Sequence, residues 1–271
     1  HLTGSVARLK VPVKILAGEQ SDLLTPPRIA RLQRAGLEVA TVPGGHMYPV
    51  EHPDLTREAL LALKFDNSYA QGSVADVTVK AVLGEDWSDD PALQAAAEHL
   101  ANWSYATDMS DRHAALGVLT TIHAVTENLT GIPAPSPRDA FRQAVTYLDT
   151  HYGQIDPEWG EVNRLQRGTQ SLPLDGGPDI LRAIYSDRDG VGKVGTINAF
   201  AGDTHIMVAD WDTDGQLRLD TIHNFGSAIL DETSPHYGDQ APLFAEGKFK
   251  PMAMTLDEVL AVATRDYKPG E

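Results

Sequence analysis

The chain has 271 residues, 42% hydrophobic and 22% charged, enough to bury a sizeable core as one large or two small domains and without a disorder signature. Lys+Arg 22 against Asp+Glu 38 gives a formal net charge of -16, which repels a phosphate backbone or an anionic bilayer, so no nucleic-acid partner is expected. Cysteine is absent, which excludes disulfides, thiolate metal sites and a cysteine nucleophile.

No apolar run approaches the ~18–20 residues that span a bilayer, and no membrane span is expected. The chain opens on His1 without an initiator Met or a signal peptide, and upstream sequence is expected. Residues 11–17 (VPVKILA) form a short β-branched run suited to a buried parallel strand. A helix begins near Pro26-Pro27, carries Ile29, Leu32 and Ala35 on one side, and ends at Gly36. Residues 37–42 read as a second strand, Pro43-Gly44-Gly45-His46 as a turn, and residues 55–63 as a helix, completing a β-α-β-α unit.

Over residues 9–54 this unit resembles the last piece of an α/β-hydrolase. The resemblance implies an acid at Asp22 (in GEQSDLLTPP) and a histidine at His46 (in PGGHMYPVEHP). Both would stand on loops at the carboxyl edge of a parallel sheet, where a carboxylate orients an imidazole and stabilises its cation. A helix cap and a solvent-exposed turn account for the same two residues as an alternative. The family's nucleophile elbow, Gly-x-Ser-x-Gly, occurs nowhere in the chain, so an Asp22–His46 pair would have no serine to activate. Two strands also leave open sheet edges, and the unit must lean on another part of the protein or be poorly ordered.

Residues 70–150 are helical by pattern. Ser88 is expected to cap a helix over residues 91–103, Ser110 a longer one over 111–128, and Ser136 a third over 138–152 that closes at Gly153. His113 and His123 read as packing or surface histidines, because no ligand stands beside them at zinc-like spacing. Trp103 and Tyr105 read as core. Beyond Gly160 the chain is strand-rich, with Arg164 and Asp175 candidates for a structural ion pair and strands expected over 181–185 and 197–200.

Residues 204–210 and 216–225 alternate around Asp214-Gly215, a hairpin whose tip needs positive φ. Asp210, Asp212, Asp214 and Gly215 also match the first half of an EF-hand loop, but Thr221 stands where the bidentate glutamate belongs and the flanks have strand period. The hairpin is the reading adopted, and a second acidic turn at 187–190 is a weaker match still. The polar segment Ser234-Pro235-His236-Tyr237-Gly238-Asp239-Gln240 follows, and then a helix over 256–265 with a Thr255/Glu258 capping box.

Several of these stretches carry a second resemblance. Lys64-Phe65-Asp66-Asn67-Ser68-Tyr69, Asp156-Pro157-Glu158-Trp159-Gly160-Glu161-Val162-Asn163-Arg164-Leu165, Leu172-Pro173-Leu174-Asp175-Gly176-Gly177-Pro178-Asp179, Gly202-Asp203-Thr204 and residues 234–240 stand in register. Over residues 56–271 they resemble the C-terminal part of the large subunit in the penicillin acylase family of N-terminal-nucleophile hydrolases, in the branch acting on acyl-homoserine lactones and long-chain acyl amides. The closing residues 267–271 resemble that family's terminus.

The resemblance implies an α/β to α+β fold: the C-terminal part of an αββα sandwich with a helical segment, preceded by the β-α-β-α unit. The corresponding divisions are 1–55, 56–155 (mainly helical) and 156–271 (strand-rich). It further implies hydrolysis of N-acyl amides of acyl-homoserine lactone, penicillin or lipopeptide type, with no cofactor, no metal and a periplasmic or secreted setting. In that family the nucleophile is a serine exposed at a new chain start, its α-amine serving as base. His1 cannot play that part, and Gly4-Ser5, Gly72-Ser73 and Gly226-Ser227 lack the small polar residues expected after the serine. No acylase catalytic residue is carried over. The chain therefore reads as incomplete and inactive alone, taking a small-molecule acyl amide only when completed by a heterodimer partner that carries the missing part. Two alternatives stay open: an esterase remnant using Asp22 and His46, or a non-catalytic structural or binding subunit.

Overall fold

The computed structural model describes residues 13–187 and 194–263. Ser5, residues 188–190 of the second acidic turn, the end of the last expected helix and the terminal residues 267–271 lie outside them. Strands β1 (Lys14–Gly18) and β2 (Glu38–Val42) pair in parallel from Lys14↔Glu38 to Gly18↔Val42. Helix α1 (Pro26–Arg34) connects them, with Pro at its start and Gly36 at φ +83° beyond its end. Then come α2 (Tyr48–Glu51) and α3 (Pro53–Lys64), so the expected β-α-β-α order is present.

Four helices follow: α4 (Val74–Leu83), α5 (Pro91–Ala101), α6 (Ala114–Thr130) and α7 (Pro137–Tyr152). Their apolar faces meet in one cluster that includes Val79, Trp87, Leu100, Leu116, Leu119, Phe141 and Leu148. Trp103 lies against α6 at Gly117, where a Cβ would come within 2.3 Å of the indole, so only glycine lets ring and helix meet. Two expected caps differ. Asp90, not Ser88, caps α5, its Oδ1 accepting from Ala92 N–H (3.0 Å) and Leu93 N–H (3.2 Å). Asp111, not Ser110, accepts the free N–H groups of His113 (2.7 Å) and Ala114 (2.8 Å) at the start of α6. In both places the carboxylate nearer the first turn is the stronger acceptor and gains from the helix dipole. Ser136 caps α7 as expected, and Gly153 closes it at φ +65°.

The remainder is built from strands and short helices. After α8 (Trp159–Val162), β3 (Asn163–Arg167), β4 (Gln170–Pro173), β5 (Ile184–Asp187) and β6 (Ile197–Gly202) form a sheet in the order β4-β3-β6-β5. Strand β7 (His205–Trp211) pairs antiparallel with β8 (Leu217–His223), which pairs with β9 (Lys250–Pro251). Helix α9 (Ala241–Ala245) lays Phe244 against Leu165, Leu174, Ile184 and Ile222 in a second apolar cluster, and α10 (Leu256–Val262) carries the Thr255/Glu258 capping box. The molecule is a mixed α/β protein.

The hairpin forms as expected, with positive φ at its tip. Only Gly215 takes positive φ (+76°), while Gly215 N–H donates to Asp212 O and Asp212 N–H to Gln216 O, which is a type I turn closed by a bulge. Asp212 Oδ1 accepts from Asp214 N–H (2.9 Å) and Gln216 N–H (2.8 Å), and Asp210 is held by Arg57 and Arg218. Those partners also answer what the parallel pair leans on. Arg57 of α3 reaches Asp210 (2.6 Å) and Asp220 on the hairpin, Arg218 reaches back to Asp54 (2.7 Å), and Lys14 pairs with Asp66.

Candidate functional site

Asp22 and His46 stand on the loops that follow β1 and β2, at the carboxyl ends of the parallel pair. The loops are tied together: Gln20 N–H donates to Gly44 O (2.9 Å) and Gly44 N–H to Gln20 Oε1 (3.1 Å). Gly18 is required there, because a Cβ would lie 2.0 Å from Gly45 O. Both candidate side chains are exposed, and among the described residues neither makes a hydrogen bond or ion pair.

Three of the stretches resembling the acylase family, 64–69, 156–165 and 172–179, by contrast, converge. The turn 174–179 is their meeting point: Gly176 N–H donates to Thr107 O (3.0 Å), Met109 N–H to Asp175 Oδ1 (3.0 Å) and Trp159 Nε1–H to Gly176 O (2.9 Å). Asn67 sits at φ +55°, its carbonyl accepting both Thr107 N–H (2.8 Å) and Thr107 Oγ1–H (2.7 Å), and its Nδ2 donating to Asp108 Oδ1 (3.0 Å). Asp179 (φ +63°) and Tyr105 (φ +67°) are left-handed too, a conformation costing ordinary side chains of order 1–3 kcal/mol. Tyr69 is buried with its hydroxyl unpartnered, 2.8 Å from where a Cβ on Gly177 would stand. Burial, then the nearby Asp179 and Tyr185, push that phenol far up. Burial also raises the Asp175 carboxyl, with the Met109 N–H opposing, and that of Asp179.

Beside this turn Arg182 is 1% exposed. Its Nη2 donates to Phe244 O (2.7 Å), its guanidinium carbon lies 4.2 Å from the Phe244 ring centre, and Asp203, shared with Lys64 (2.7 Å), is 3.7 Å from Nη1. Nε and Nη1 have no hydrogen-bond acceptor. The expected Arg164–Asp175 pair does not form. Arg164 instead holds the carbonyls of Gly160 (2.7 Å) and Ser171, and Asp175 feels the charge of Arg182.

The polar segment after the hairpin is clamped by one side chain. Arg167 Nε donates to Tyr237 O (2.9 Å), Nη2 to Ile229 O (2.9 Å), and the guanidinium stacks 3.5 Å from the Tyr237 ring centre. Gly226 N–H donates to Tyr237 O, and a Cβ on Gly226 would strike His236 O at 1.8 Å. His236 Nδ1 pairs with Asp239 Oδ2 at 2.8 Å, with the imidazole largely in solvent. Sequence spacing shows this i,i+3 pair. It does not show that Arg167, seventy residues upstream, fixes the loop, nor that His99 stacks on His113 (4.2 Å) and His205 on His223 (4.4 Å).

The converging stretches are among those that resemble the acylase family. The family model described as penicillin amidase matches residues 48–261, and the chain belongs to that family. Acyl-homoserine lactone acylase PvdQ of Pseudomonas fluorescens is 24% identical over 106 residues, which are 39% of this chain and 13% of that protein. The match thus spans about an eighth of the length of that relative. No helix among the described residues is long and apolar enough to cross a membrane.

Proposed function

We propose that this chain is the C-terminal scaffold of an N-acyl amide hydrolase, cleaving acyl-homoserine lactone, penicillin or lipopeptide-type amides to a carboxylic acid and an amine, with the nucleophile supplied by another polypeptide. On this reading its sheets belong to a four-layer αββα sandwich, and the chain alone is inactive. The observation that supports the reading is the convergence of three of the family-like stretches, 64–69, 156–165 and 172–179, on the turn 174–179, held by Asn67, Thr107, Asp175 and Trp159. Those side chains engage groups of neighbouring stretches, Thr107 Oγ1–H donating to Asn67 O, Asp175 accepting Met109 N–H and Trp159 Nε1–H donating to Gly176 O. The Ser73 hydroxyl is engaged in capping α4, accepting Asp76 N–H at 3.2 Å. The test is purified chain with a chromogenic long-chain acyl amide and a chromogenic ester: turnover at the buffer rate is expected, and robust amide cleavage would overturn the proposal.

A second reading keeps Asp22 and His46 as an acid–histidine pair of α/β-hydrolase type. The placement of both on adjacent loops after parallel strands favours it. Ester turnover abolished by His46→Ala would support it.

A further inference from the structure

A column of stacked side chains joins the hairpin to the segment that Arg167 clamps. His205 and His223 stand directly opposite on β7 and β8, next to the pair bonded by Asn224 N–H and Thr204 O, where cross-strand side chains come closest. Their rings lie 4.4 Å apart and within 10° of parallel. The His223 ring centre is 5.5 Å from that of Phe225, and the Arg167 guanidinium carbon lies 5.5 Å from the Phe225 ring centre and 3.5 Å from that of Tyr237. The column thus ends on the loop 226–240, whose Ile229 and Tyr237 carbonyls Arg167 also holds. Gln170, opposite Arg167 on β4, donates to Gly238 O (3.1 Å), and the Tyr237 ring lies over Gly168 in the β3–β4 turn.

The surroundings suit neutral imidazoles. His205 Nε2 meets Thr221 Oγ1 at 2.8 Å, and His223 Nδ1 is buried with no hydrogen-bond partner among the described residues. The charges that act on His223 are those of His205 and of Lys250, opposite Thr221 on β9, with Arg167 beyond Phe225. The carboxylates of the neighbouring elements are engaged elsewhere. Asp203, before β7, is held by Lys64 and Arg182; Asp210 and Asp220, on the other face of the hairpin, by Arg57 and Arg218; and Glu246, before β9, by Lys248. On the loop, Asp231 accepts from Thr233, Glu232 from the Tyr237 hydroxyl (3.2 Å), and Asp239 pairs with His236 (2.8 Å). Two stacked imidazolium rings beside Lys250 would therefore repel without a carboxylate to offset them. We propose that the stacked pair is an acid-sensitive latch: neutral, it anchors the column and holds the loop 226–240 on the β3–β4 turn; protonated, the rings part and the loop is released while the rest of the chain stays folded. A released His223 takes up its proton around its ordinary 6.5 and the stacked one only at lower pH, so opening grows as pH falls below 6.5.

The test is amide hydrogen exchange of the full chain, read by mass spectrometry between about pH 7.5 and about pH 5 and corrected for the intrinsic pH dependence of exchange. Protection of the loop 226–240 is expected to fall roughly tenfold over that range, while peptides from α6 and α7 keep theirs. In the double variant His205→Gln, His223→Gln the loop's protection no longer changes with pH. His205→Gln alone, at an exposed side chain, weakens the fall to roughly threefold. His236→Asn, on the loop but outside the column, leaves the fall in place. A loop protected alike at both ends of the range overturns the proposal, as does a fall that persists undiminished in the His205 and His223 variants, disappears in His236→Asn, or is matched by α6 and α7. None of these outcomes depends on whether the chain hydrolyses an amide.

Discussion

Asn67, Tyr105 and Asp179 adopt left-handed backbone conformations around a turn where Tyr69 and Arg182 are buried with unpartnered polar atoms. Such departures from local preference persist only where surrounding contacts over-determine them. Here the contacts are backbone hydrogen bonds between stretches some forty to seventy residues apart, which explains why the sequence shows the stretches as motifs but not their meeting. The Tyr69 hydroxyl is the sharpest case, since it is desolvated without a bond in return. Tyr69→Phe is therefore expected to leave stability unchanged or raise it by up to about 1 kcal/mol, measured by urea unfolding. Arg182 is the opposite case. Arg182→Met leaves Asp203 its Lys64 partner but strips the Phe244 carbonyl of its guanidinium donor, and is expected to destabilise by about 1–3 kcal/mol.

Several helices and strands were legible from local periodicity and punctuation: Pro at the start of α1 and α7, Gly36 and Gly153 after their ends, alternation along β7 and β8; β3, β4, α8 and α9 were not, and the strand expected over 181–185 stands at Ile184–Asp187. Capping was less so, since Ser and Asp compete within one or two residues and the acidic one won at Asp90 and Asp111. Least legible was how elements join. Arg57 looks in sequence like one more charge on α3, yet its side chain is 17% exposed between Asp210 and Asp220. A double-mutant cycle of Arg57→Ala and Asp210→Ala should give a coupling of about 0.5–3 kcal/mol that shrinks in high salt. A coupling near zero would mean that α3 rests on the hairpin by apolar contact alone.

Across the whole molecule the acidic balance and the paired histidines set the response to pH. Burial, then the adjacent His113 ring, hold the His99 imidazole below its ordinary value of 6.5, against the pull of the Arg112 carbonyl; burial, His205 and Lys250 do the same to His223. The unfolded chain then binds protons at a higher pH than the native one does. Stability is full above 6.5 and falls as pH drops from there toward the lower folded values, a decline that His99→Gln and His223→Gln together should flatten in urea melts. Family membership was visible in the order of the motifs and is carried by the match over residues 48–261, whereas neither fixes what Asp22 and His46 do. The central claim is that the chain holds scaffold and no activated hydroxyl. It is tested most directly by intact mass after incubation with a serine-directed phosphonylating reagent: the account predicts an unmodified 29.3 kDa species, and a stoichiometric adduct that disappears in His46→Ala would contradict it.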